Sequence, residues 1–175
     1  ILVGRDVRES SPEIYEYLVK GITEAGADVY DAGLATTPMI YWGTASKGFK
    51  ASVQITASHN PREYNGMKVS RENAMPVRYD NGLGTIEQWI KDGKECVPAS
   101  VPGKVIPMDI REEYLDFQRQ YLGDYSNLNI GMDISNGMAA LLIKDLLGEG
   151  SEKLHYIFDE MDGTFPNHEA NPLIP

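Results

Sequence analysis

The sequence predicts an α/β protein: a three-layer α/β/α domain on a mixed sheet, followed by the first part of a second, similar domain. Three observations carry this reading. Strand-like and helix-like segments alternate from residue 1 into the fifties, and the alternation restarts after residue 128. Between them, Pro98-Ala99-Ser100-Val101-Pro102-Gly103 has the composition of a linker. A boundary near residue 105 follows, with units 1–105 and 106–175.

The first unit opens with Ile1-Leu2-Val3-Gly4, a short buried strand running into Arg5-Asp6-Val7-Arg8. The chain starts without a Met and already inside this strand, so its beginning reads as truncated. Ser10-Ser11-Pro12-Glu13 combines capping hydroxyls, a first-turn proline and a glutamate three residues after Ser10, the signature of a helix start with a capping box. Ile14, Leu18, Ile22 and Ala25 recur at helical spacing until Gly26 stops the helix. Residues 27–33 read as the second strand. Thr37-Pro38 starts a helix whose Met39, Ile40, Tyr41 and Trp42 belong mostly to the core, ending near Gly48.

Val53 and Ile55 then alternate with Gln54 and Thr56, the period of a strand with one buried face. Asn60-Pro61 forces a turn, because proline fixes its own φ and excludes helical space for the residue before it. Asn65-Gly66 gives a second turn, and Met67-Lys68-Val69 begins a return strand. Ser58, His59, Asn60, Arg62 and Lys68 crowd onto this loop, which suits an anion or a phosphoryl group. It lies at a strand's carboxyl end, where such sheets usually bind ligands. Taken locally, Ser-His-Asn-Pro is a turn as readily as a site, and adjacency makes no catalytic triad.

Downstream, Leu83, Ile86 and Ile90 share one face of a helix. Asp109-Ile110-Arg111-Glu112 reads as a capping-box start, with Ile110, Tyr114, Phe117 and Tyr121 as one core-directed stripe. The second unit runs as a strand from Leu128 to Ile134, a turn at Asn136-Gly137, a helix from Met138 to Leu147 and a strand from Leu154 to Phe158.

Composition excludes several function classes. A net charge of −10 opposes nucleic-acid or anionic-membrane binding, which needs an excess of Lys and Arg. A few local cations still suffice to hold a small sugar phosphate. The single cysteine, Cys96, allows no internal disulfide and fits a reducing cytoplasm; it reads as a small, partly buried residue. No apolar run is long enough to span a bilayer.

Thr56-Ala57-Ser58-His59-Asn60-Pro61, followed by Tyr64-Asn65-Gly66-Met67-Lys68, resembles the active-site serine loop of the α-D-phosphohexomutases. Val3-Gly4-Arg5-Asp6-Val7-Arg8 with Ser10-Ser11-Pro12, and Gly33-Leu34-Ala35-Thr36-Thr37-Pro38, are similar to further segments of that family. Asp133-Ile134-Ser135-Asn136-Gly137-Met138 and Asp162-Gly163-Thr164-Phe165-Pro166-Asn167-His168 resemble its second domain. Tyr64 to Lys68, with the run Ser70 to Val77, resembles the phosphomannomutase/phosphoglucomutase branch.

The resemblance implies a phosphoserine enzyme that moves phosphate between O1 and O6 of a hexose through a 1,6-bisphosphate. It makes Ser58 the phosphate carrier and places His59 and Lys68 beside it. Lys68 is favoured for general acid/base work and His59 for a phosphate or substrate contact. Arg8 and Asn60 are further phosphate-contact candidates; Asn60 also suits loop shaping, and Arg8 a surface ion pair. Arg62 should face solvent. The family also implies Mg²⁺, held here by Ser58 through its phosphate, and a hexose 1,6-bisphosphate activator. Its Asp-x-Asp-x-Asp metal loop has no counterpart: Asp159-Glu160-Met161-Asp162-Gly163 reads as a turn, and His155 and His168 as exposed or structural. Domains III and IV, which complete the family's sugar site, are missing, so this chain by itself should be inactive or nearly so. Hexose phosphates are the expected partners. A non-catalytic phosphosugar-binding module is the alternative.

Overall fold

The structure, a computed structural model, describes residues 1–171 and residue 173. The other positions of the expected second unit, 172, 174 and 175, lie outside the described residues. The first half places β1 (Leu2–Arg5), α1 (Ser11–Glu24), β2 (Val29–Leu34), α2 (Thr37–Ser46), β3 (Ala51–Ile55) and β4 (Met67–Arg71) in succession. Next come α3 (Leu83–Lys91), β5 (Val105–Pro107) and α4 (Arg111–Arg119). Five strands form one mixed sheet in the order β4-β3-β1-β2-β5. β1, β2, β3 and β5 are parallel, and β4 returns antiparallel to β3.

Two cores make the layers. Val3 and Val29 meet Val19 of α1 on one face, with Ile1, Leu18 and Ile22 packed around them. On the other, Leu2 and Ala35 meet Met39 and Ile40 of α2 and Ile110 and Tyr114 of α4. Leu2 and Val3 are neighbours in sequence and point to opposite cores, as a strand covered on both faces requires. Full burial of side chains of this size contributes roughly 1.5–3 kcal/mol each. The sheet is thereby fixed between its helices.

Several expectations change on contact with this packing. β3 buries both faces: Ser52 and Gln54 are as inaccessible as Ile55, because α2 covers the polar side and Thr44 donates to Ser52 at 2.6 Å. The predicted break near residue 105 falls inside the sheet, since Val105–Pro107 pairs with β2 and α4 completes the first core. Neither capping box forms at Ser10 or at Asp109. Asp109 instead accepts from the Arg111 amide at 2.9 Å, and the serines at 10 and 11 are used elsewhere. The α3 stripe is largely uncovered, with Ile86 and Ile90 exposed, as are Tyr121 and Cys96.

The second half contains β6 (Ile130–Asp133), α5 (Ile143–Leu147) and β7 (Leu154–Ile157). β6 and β7 pair in parallel, as the βαβ order anticipates. The single helix expected from Met138 to Leu147 is two pieces, a 3₁₀ turn over Met138–Leu141 and then α5. Leu141 and Leu142 at this break pack onto the first core. The Arg111 guanidinium also crosses to this segment, donating to the Leu141 carbonyl and pairing with Asp145. Among the described residues, no helix is long and apolar enough to cross a membrane.

Candidate active site

Parallel strands bring their carboxyl ends to one edge, so the segments leaving β1, β2 and β3 must lie side by side. A cleft of about 350 Å³ opens there. Asp6 and Val7 follow β1, Ala35 to Pro38 follow β2, and Thr56, Ser58 and His59 follow β3. The second unit closes the opposite wall with Ser135, Gly137, Met138 and Phe165.

Ser58 sits on the rim, exposed, with φ 58°. That left-handed backbone is uncommon for a residue bearing a Cβ and persists only where surroundings impose it. Thr56 Oγ1 accepts from the Ser58 amide at 3.0 Å, and the Ala57 carbonyl accepts from the Asn60 amide at 3.1 Å. His59 Nδ1 lies 3.2 Å from Ser58 Oγ.

The main restraint comes from Arg8. β1 and β3 are neighbours, so the segment after β1 runs under the serine loop. Arg8 is 1% exposed, its Nε facing the Asp6 carboxylate at 3.2 Å. Its terminal nitrogens donate to the carbonyls of Ser58 at 3.0 Å, Asn60 at 2.7 Å, Pro61 at 2.8 Å and Tyr64 at 3.1 Å. A guanidinium suits this task because its planar fork carries five donors and keeps its charge. Asp6 also accepts from the Arg8 amide and from Ser11 Oγ at 2.6 Å. Asn65 closes the loop by donating to Ser10 Oγ and Ser11 Oγ, each at 2.9 Å. The serines anticipated as helix caps thus hold the loop.

The expected site residues separate accordingly. Ser58 and His59 line the cleft together. Arg8 is beneath the loop: the anticipated phosphate contact or surface ion pair gives way to a buried clamp, because its terminal donors are engaged by backbone carbonyls. Asn60 is exposed and gives its carbonyl to that clamp. Lys68 is half-buried on β4 opposite Gln54, so it leaves the sheet on the face where Gln54 meets the cleft; it is not a lining residue. Arg62 faces solvent, as anticipated.

Several contributors escaped the sequence reading, including Thr36, Thr37, Gln54, Ser135 and Phe165. One rule could have found Thr36 and Ser135: inspect the first residues beyond each parallel strand. A pair formed by Asp133 and His168, 2.9 Å apart, was also missed. For His168, the backbone contact with Glu169 and then the Asp133 carboxylate raise the imidazole above its ordinary value. At Asp133, burial works upward, but hydrogen bonds from Ser135 and the His168 partner outweigh it and lower the carboxyl. His155, by contrast, makes only a local contact with the Glu152 carbonyl.

The residues present do not fit a Mg²⁺ ion. Among the described residues, no group of three or more His, Cys, Asp or Glu side chains is arranged to hold a metal. The carboxylate lining the cleft, Asp6, is already committed to Arg8 and Ser11.

Comparison with known proteins identifies the family. Residues 1–95 match the family model described as phosphoglucomutase/phosphomannomutase, alpha/beta/alpha domain I. The whole chain is 35% identical over 184 residues to a phosphomannomutase of Salmonella montevideo, of which it covers 40%. A phosphoglucomutase of Neisseria meningitidis serogroup B is 34% identical over 177 residues, again across the whole chain and 37% of that protein. Among solved structures, a phosphoglucomutase/phosphomannomutase family protein from Burkholderia thailandensis superposes with a TM-score of 0.75 at 28% identity, covering 96% of this chain and 37% of its own. The chain therefore spans about 40% of the length of the curated relatives it matches. It belongs to the phosphoglucomutase/phosphomannomutase family.

Proposed function

We propose that this chain is the serine-bearing part of a phosphohexomutase that interconverts hexose 1-phosphates and hexose 6-phosphates, with mannose, glucose or both as the sugar. The observation that carries the reading is Ser58: an exposed hydroxyl on a left-handed turn, fixed from below by a buried guanidinium, at the mouth of a cleft. Phosphoryl transfer makes few covalent demands on the protein and depends mostly on such positioning and on charge stabilisation.

In the proposed cycle Ser58 carries the phosphoryl group. A sugar hydroxyl attacks the phosphorus, the P–Oγ bond breaks, and the sugar oxygen gives up its proton as the serine oxygen regains one. The bisphosphate turns over and returns its other phosphate to Ser58. His59, beside the serine oxygen, serves as the phosphate-side contact. Lys68 serves in acid/base exchange with the sugar hydroxyl. Asn60 shapes the loop through its backbone carbonyl, which accepts from Arg8. Mg²⁺ and a hexose 1,6-bisphosphate activator belong to this reading through the family, and Ser58's phosphate would give the metal one ligand. The first unit, completed by β5 and α4, corresponds in it to domain I and the remainder to the start of domain II, with domains III and IV supplying the sugar contacts and cytoplasmic residence expected. The chain by itself should then show little or no turnover.

The test is phosphosite-resolved mass spectrometry on the full-length protein after incubation with glucose 1,6-bisphosphate and Mg²⁺. Phosphate should appear on Ser58, discharge on adding mannose 1-phosphate or glucose 1-phosphate, and be absent from Ser58→Ala. That variant should also lose mutase activity by at least about a thousandfold, the scale of nucleophile removal. An unphosphorylated Ser58 in the folded protein would sink the mutase reading and favour a phosphosugar-binding module.

A further inference from the structure

The turn at 162–165 belongs to the second unit, yet it presses on the segment that clamps the serine loop. Gly163 is buried, and a Cβ there would lie 2.2 Å from the Val7 carbonyl oxygen and 3.0 Å from Arg8 Cα. Only a residue without a side chain permits this approach. Two residues on, the Phe165 ring packs against the Arg8 guanidinium, 5.2 Å from centroid to Cζ. Phe165 holds φ 48°, a left-handed backbone that an aromatic residue adopts only when its surroundings impose it.

The turn is itself fixed within its own unit. Asn136, 6% exposed, donates its side-chain amide to the Glu160 carbonyl at 3.0 Å and accepts from Asn167 at 2.7 Å. Its backbone bonds to Phe158 and Asp162. Asp162 in turn accepts from the Thr164 amide and hydroxyl at 2.8 and 2.7 Å. A continuous path of contacts therefore runs from β6, through Asn136 and Phe165, to Arg8 and the carbonyl of Ser58.

We propose that Phe165 and Arg8 are positioning residues: the second unit holds Arg8 in place, and Arg8 holds Ser58 in the geometry that accepts and donates phosphate. This rests on the mutase reading for its chemistry and on the contacts alone for its mechanics. The Phe165 ring is the second unit's observed contact with the guanidinium. Losing the ring should loosen the serine loop and leave distant elements unaffected. A cation–π contact desolvated to this degree corresponds to about a 3- to 30-fold effect.

The experiment uses the full-length protein, with Phe165→Ala, Phe165→Leu and Gly163→Ala beside wild type. Amide hydrogen exchange is read peptide by peptide, and the rate of Ser58 phosphorylation by glucose 1,6-bisphosphate is read separately. In Phe165→Ala, exchange over residues 58–66 should rise about 3- to 30-fold with β1 and β6 unchanged, and phosphorylation should slow within the same range. kcat should fall while KM stays within about twofold, as expected for lost transition-state positioning. Phe165→Leu should recover part of both effects by restoring apolar cover. Gly163→Ala should reproduce the loosening from the other side of the contact. Unchanged exchange over 58–66, a uniform rise across the protein, or a loosened loop with an undiminished phosphorylation rate would each overturn the proposal. If wild type takes no phosphate, the mutase reading fails, and the coupling is decided by the exchange data alone.

Discussion

Two loops meet at the cleft, each gripped by one buried polar side chain, and the grips differ in kind. The serine loop hangs on Arg8, a cation whose charge is answered by Asp6 and whose terminal donors are filled by four carbonyls. The 158–168 loop hangs on Asn136, a neutral amide making one contact to each of several partners. The cationic grip lies inside a five-stranded, helix-covered domain, and the neutral one beside a two-stranded sheet. Desolvating a guanidinium is costly unless partners surround it, so only the better-enclosed loop can use one. The result is a loop whose main chain is held at four points by one side chain.

Replacing Arg8 by Met should break this contrast most severely. It leaves Asp6 buried without its cation and four carbonyls without donors, a loss of about 3–5 kcal/mol in urea unfolding. Asn136→Ala should cost about 1–3 kcal/mol by the same measurement, the range for stranding buried partners of a neutral group. Equal losses at the two sites would remove the distinction. Asn65→Ala, which releases the serine loop from Ser10 and Ser11, should cost about 1 kcal/mol, because those hydroxyls can turn to other partners.

pH sharpens the comparison further. The second loop, unlike the first, is also tied by the pair Asp133 and His168. His168 is raised above 6.5, so its share of stability is present below that value and fades as pH climbs through the folded-state value. Asp133 is lowered below 3.8, so its share is present above that value and fades on acidification through its folded-state value. The pair is only partly screened from water, at 32% and 41% side-chain exposure, which keeps the effect small. Melting scans should show wild type losing slightly more stability than His168→Gln between about pH 6 and pH 8.5.

How legible was all this beforehand? Strand and helix order could be read because apolar periodicity and the punctuation by Gly26, Pro38 and Pro61 act locally. Ser58 and His59 could be placed at a strand's end for the same reason. Arg8 was misjudged because its partners lie 50 to 56 residues away and are carbonyls, which every residue possesses. The polar face of β3 misled in a related way: Gln54 donates to the Ala35 carbonyl at 2.8 Å, a burial that periodicity cannot foresee. The boundary near 105 followed composition, while the sheet followed register. Likewise Phe165 stood only as one letter of the Asp162 to His168 segment, because its partner Arg8 is brought to it by the meeting of the two units.

The Arg8 clamp has a consequence for what the loop can become. It grips carbonyl oxygens, so nothing in it depends on which side chains sit at positions 59, 60, 62 and 63. Shape and lettering are therefore separable. Substitutions at the exposed His59, Asn60, Arg62 and Glu63 can alter charge and ligand preference over a backbone that keeps its form. Selection, natural or in the laboratory, can rewrite the chemistry around Ser58 without first having to rebuild the platform that presents it.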